Sequence, residues 1–88
     1  MERTVVVASQ VGLHARPASV FTQAAQQCGI DVYIGRPGQP PVNAASILQV
    51  MGLGVRHGEQ VALSADGPDA AGVLDGLVDV LATDLDAV

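Results

Sequence analysis

The chain has no lysine and no tryptophan, and it holds a single cysteine, a single phenylalanine and a single tyrosine. Each scarcity excludes something. Cys28 has no second cysteine to pair with inside the chain, so a reducing, cytoplasmic compartment is expected. Four arginines face nine acidic residues. So few cations displace few counterions, which argues against nucleic acid as a partner. No apolar run approaches the roughly 20 residues that cross a bilayer. The opening Met1-Glu2-Arg3-Thr4-Val5 lacks the basic and apolar regions of a signal peptide. No membrane insertion is therefore expected. No cysteine and histidine spacing suits zinc, and the Asp-rich end of the chain has no EF-hand pattern, so no metal and no cofactor are expected.

The charge that is present is uneven. All four arginines lie in residues 1–56, beside only Glu2 and Asp31. Residues 57–88 hold seven acids and no lysine or arginine. Repeats and linkers are lacking too. The 88 residues read as one domain, 1–88.

Thr4–Ala8 is short and β-branched and reads as a first strand. Val20, Phe21, Ala24, Ala25 and Cys28 then fall on one face of a helix that opens at Pro17 and stops at Gly29. Asp31–Gly35 alternates as a second strand. The turn Arg36–Pro41 leads to a short third strand, Pro41–Asn43. Ser46 and Gln49 have the spacing of a capping box, which starts a short helix over Ser46–Met51. Gln60–Ala65 is a fourth strand. Leu74, Leu77, Val78, Leu81 and Leu85 mark the apolar face of a last helix, with Asp75 and Asp79 on its solvated side. The order β-α-β-β-α-β-α gives an α+β fold: one antiparallel sheet with helices on one side.

The chemistry concentrates in Gly12-Leu13-His14-Ala15-Arg16-Pro17-Ala18. A neutral imidazole has a free lone pair and is a nucleophile toward phosphorus. His14 stands where a helix begins, and the first amides of a helix have no partner within it. A phosphoryl group on His14 finds those amides, the helix dipole and Arg16 nearby. Gly12 is expected to keep bulk away where a partner approaches. His57, in a glycine-flanked turn, reads as a solvated loop residue.

These residues, with Ser19, resemble the active-site signature of HPr, the histidine-containing phosphocarrier family of the bacterial phosphoenolpyruvate:sugar phosphotransferase system. A second block, Val42-Asn43-Ala44-Ala45-Ser46-Ile47-Leu48 followed by Met51-Gly52-Leu53-Gly54, is similar to the family's serine-site segment. The resemblance implies an open-faced β-sandwich with a four-stranded antiparallel sheet and three helices on one side. It implies that His14 accepts a phosphoryl group on Nδ1 from phospho-enzyme I and donates it to an enzyme IIA. Arg16 is implied to pair with the phosphoryl oxygens and Pro17 to shape the site. Ser46 matches a serine that a dedicated ATP-dependent kinase phosphorylates in some members, with a matching phosphorylase. Val20, Ile47, Leu48 and Met51 match the patch that docks partners. No turnover is expected of the protein alone, and a monomer suits a shuttle between two partners.

The alternatives are a carrier of the nitrogen-related branch, or a regulatory protein of this fold that docks on transcription regulators. An acylphosphatase-like enzyme would need its own anion loop, and none leads a helix apart from the His14 site. Ala15 replaces a hydroxyl residue common in relatives, Ala45 stands where a basic residue often precedes the serine, and the docking face carries Gln23 and Gln49 but no lysine.

Overall fold

The computed structural model describes residues 1–85. In order it holds β1 (Glu2–Val6), α1 (Ala15–Gln27), β2 (Tyr33–Gly35), β3 (Val42–Asn43), α2 (Ile47–Gly52), β4 (Gln60–Ser64) and α3 (Ala70–Ala82). The sequence pattern anticipates this order. It shifts β1 by two residues, because Val7 and Ala8 leave the sheet. Val7 instead exchanges backbone bonds with Gly58 and Glu59. Helix α1 begins at Ala15, two residues before the expected Pro17. Pro17 still falls in the first turn, where its missing N–H is harmless.

The sheet runs β1-β4-β2-β3, and every neighbouring pair is antiparallel. Strand β4 pairs with β1 from Glu2↔Ser64 to Val6↔Gln60, and with β2 at Ile34↔Leu63. Strands β1 and β2 are therefore parallel to one another, with β4 between them. Helix α1 makes the crossover that parallel strands require.

Alternation along the strands makes one face of the sheet apolar. Val61, Leu63 and Ile34 point into the core, while Glu2, Thr4, Val6 and Tyr33 are exposed. The core side is filled by Phe21, Leu13, Val50, Leu74, Leu77 and Leu81 from the helices and the loop before α1. Phe21, the only phenylalanine, is wholly buried. The aspartate face of α3 is less idle than expected, since the Asp75 carboxylate accepts from Arg3 Nε at 3.0 Å. That pair is exposed on both sides and contributes little.

Two caps fix the helices near the functional segments. Gly29 takes φ +85° just past α1 and ends it. Ser46 caps α2, its Oγ accepting from Gln49 N at 3.3 Å. Only half of the expected capping box forms. The Gln49 side chain turns away, and its Oε1 accepts from Asn43 N at 2.9 Å. That bond ties α2 to the end of β3 instead. The Ser46 cap is worth about 1 kcal/mol.

Candidate functional site: His14 and the loop that faces it

Leu13 positions His14. Its side chain is 1% exposed and plugs the core, and its N–H donates to Val55 O at 3.0 Å. Gly12, just before it, takes φ +71°. A β-carbon there would lie 2.3 Å from Val55 O and 2.8 Å from Arg56 Cα. The absent side chain of Gly12 thus makes room for the protein's own backbone, where the sequence suggested room for a partner.

His14 is the residue just outside α1, in extended conformation at φ −139° and ψ 156°. Its carbonyl accepts from Ala18 N, the first bond of the helix. Its side chain makes no capping bond and is exposed. Among the described residues the imidazole has no hydrogen-bond partner, so its lone pair is available. Pro17 has no N–H, so the unpaired amides at this helix end belong to Ala15 and Arg16. Ala15 adopts φ +50°, a left-handed conformation costing about 1 kcal/mol for a residue with a side chain. The turn into the helix is therefore strained next to His14.

Facing His14 is the loop between α2 and β4. Val11, His14, Gly54, Val55 and Arg56 line an open pocket of about 260 Å³. The loop is held from three directions. Arg36, in the β2–β3 turn, donates to Leu53 O, to Gly54 O at 3.1 Å and to the Glu59 carboxylate at 3.1 Å. Glu59 Oε2 also accepts from Arg56 N at 2.6 Å. His57 Nδ1 lies 3.1 Å from Ala8 O and 3.2 Å from Ser9 O. Both partners are acceptors, so this nitrogen carries the proton. His57 is exposed as expected, yet it fastens the loop to the segment leading to His14.

The Arg56 amide, then the Arg36 guanidinium, hold the Glu59 carboxyl below its ordinary value. A lowered carboxylate value means the loop bonds persist above the ordinary glutamate range. They are lost only as pH falls through the depressed folded value. The expected result is an Arg56 amide resonance that titrates with a midpoint below that of an unperturbed glutamate. An ordinary or raised midpoint in a pH series of amide spectra would remove this brace.

A family model described as the PTS HPr component phosphorylation site matches residues 1–83. The chain belongs to the HPr family. The HPr phosphocarrier of Haloferax volcanii is 52% identical over 84 residues, covering 94% of each chain. That of Streptomyces coelicolor is 45% identical over 85 residues, covering 97% of this chain and 91% of its own. Among solved structures, HPr-C-His from Thermoanaerobacter tengcongensis matches with a TM-score of 0.84 at 38% identity, covering 92% of this chain and 90% of its own. The four-stranded open sheet with three helices is the fold these HPr structures share.

The other residues singled out by resemblance to HPr are placed as follows. Arg16 is exposed on the first turn of α1, with no ion pair among the described residues. Pro17 is buried beneath it. Ser46 caps α2, at the other end of the segment that leads to the pocket. Leu48 is 81% exposed and Ile47 38% exposed, whereas Val20 and Met51 are half-buried. The residue of α2 that serves the core is Val50. Sequence reasoning missed Gly54, Val55 and Arg56 as neighbours of His14. They lie 40 or more positions away, and no local pattern joins them to it.

Proposed function

We propose that this protein accepts a phosphoryl group on His14 Nδ1 from phospho-enzyme I and donates it to an enzyme IIA. One observation carries the reading: an exposed, unpartnered imidazole stands at the N-terminus of α1, on the edge of a pocket. In transfer the Nδ1 lone pair attacks phosphorus and a nitrogen–phosphorus bond forms. The donor's bond to phosphorus breaks, and its electron pair stays with the donor. The proton on Nε2 stays in place. The amides of Ala15 and Arg16 and the Arg16 guanidinium face the charge that arrives.

Reversibility requires that the group be held loosely. An exposed helix end satisfies this better than a closed basic cavity. Partners supply the rest of the positioning, so no turnover is expected of the protein alone. Leu48 and Ile47, with Val20 and Met51 behind them, form the docking patch. Exposed apolar side chains suit brief encounters with successive partners. Replacing Leu48 with aspartate is expected to raise the KM of enzyme I for this protein about tenfold, with the melting temperature unchanged, because the side chain is not in the core. An unchanged KM would take Leu48 out of the interface.

The direct test is intact mass after incubation with phosphoenolpyruvate, magnesium and enzyme I. A gain of one phosphoryl group, labile to acid and stable to base, supports the carrier role. No gain with an active cognate enzyme I would overturn it. An acid-stable phosphoryl group, formed instead with ATP and a protein kinase, would mark Ser46 as a second, regulatory acceptor.

A further inference from the structure

The chain has four arginines and no lysine, so the use made of each cation is informative. Arg3 is paired with Asp75, and Arg36 is bound to Glu59 and two carbonyls. That leaves Arg16 and Arg56. Neither guanidinium makes a hydrogen bond or a close ion pair among the described residues. Arg16 lies two residues beyond His14, and Arg56 lines the same pocket as His14 from the opposite wall. Of the two uncommitted cations of this acidic protein, one neighbours His14 along the chain and the other shares its pocket.

The geometry points to Arg56 as a second cation of the His14 site, pairing with the phosphoryl oxygens once His14 is loaded. The inference rests on the phosphocarrier reading and adds a residue to it. Three features favour it. The backbone of Arg56 is fixed, because its N–H is bonded to Glu59 and its Cα is packed against Gly12. Its side chain is exposed and free to swing over the pocket. Its guanidinium offers several planar donors, which match the oxygens of a phosphoryl group. The Glu59 carboxylate is already bound by Arg36 and by the Arg56 amide. Glu59 feels the Arg56 charge, but it makes no ion pair with the Arg56 head group.

The test compares the wild type with Arg56→Gln and Arg56→Lys, each loaded by enzyme I and phosphoenolpyruvate. Two readouts are followed: the rate of loading, split into kcat and KM, and the phosphorus resonance of the phosphohistidine as pH is varied. Arg56→Gln is expected to lower kcat/KM by about 3- to 10-fold, mainly through kcat. It is also expected to raise the pH at which the phosphoryl group loses its last proton, because a nearby cation favours the dianion. Arg56→Lys should restore the titration and only part of the rate, since an ammonium lacks the planar fork. An unchanged phosphorus titration in Arg56→Gln overturns the proposal. If KM alone rises, Arg56 belongs to partner docking and the proposal is again overturned. Failure of the wild type to load at all is a different result, which refutes the phosphocarrier reading itself.

Discussion

His14→Ala is expected to abolish phosphoryl acceptance while leaving the fold unchanged. Both halves follow from the geometry. Among the described residues the imidazole is the only nucleophile on the pocket wall, since Val11, Gly54, Val55 and Arg56 offer none. Its ring caps nothing and is bonded to nothing among the described residues, so its removal leaves no buried group unsatisfied. Exposed substitutions of this kind usually change stability by less than about 0.5 kcal/mol. Intact mass after incubation with enzyme I, and a thermal melt, check the two halves. Acceptance retained in the variant would move the site elsewhere. A large loss of stability would mean that His14 supports the helix.

Gly12→Ala is expected to cause the largest loss of stability of the substitutions considered. The new methyl group would meet the carbonyl of Val55 and the Cα of Arg56, which are backbone atoms that cannot swing aside. Alanine would also have to hold φ near +71°. The left-handed conformation costs about 1–2 kcal/mol, and forcing a close-packed segment apart costs about 1–3 kcal/mol. For a domain of this size each kcal/mol lowers Tm by about 4–8 °C, so a fall of at least about 8 °C is expected. Loading of His14 should slow as well, because Leu13 and the pocket wall both hang on this contact. A melt within about 2 °C of the wild type would show that the approach is not tight in solution.

The elements were legible because their patterns are local. The leucines of α3, the β-branched β1 and the Ser46 cap each declare themselves within a dozen residues. Strand ends were less legible. Val7 reads as strand by type, yet its bonds go to Gly58 and Glu59, a pairing that only the folded loop provides. The same limit applied to the site. His14, Arg16 and Pro17 form one contiguous motif and could be picked out by chemistry and by family likeness. The opposite wall could not, because Gly54 and Arg56 reach His14 only through the α2–β4 loop. The roles of Glu59 and His57 as fastenings depend on atoms of Arg36, Ala8 and Ser9 that no spacing rule connects. Gly12 stands out in the sequence as a glycine, but the body that needs its space is the chain itself.

The strand order also sets when the protein becomes competent during its synthesis. Strand β4 comes from the second half of the chain and lies between β1 and β2 of the first. A nascent chain that has emerged only as far as α2 already contains His14. It lacks β4, the strand that joins β1 to β2, and the loop against which Gly12 and Leu13 settle. On the carrier reading proposed above, phosphoryl acceptance is thereby tied to synthesis past β4, and a stalled fragment ending at α2 would carry the histidine without the pocket wall.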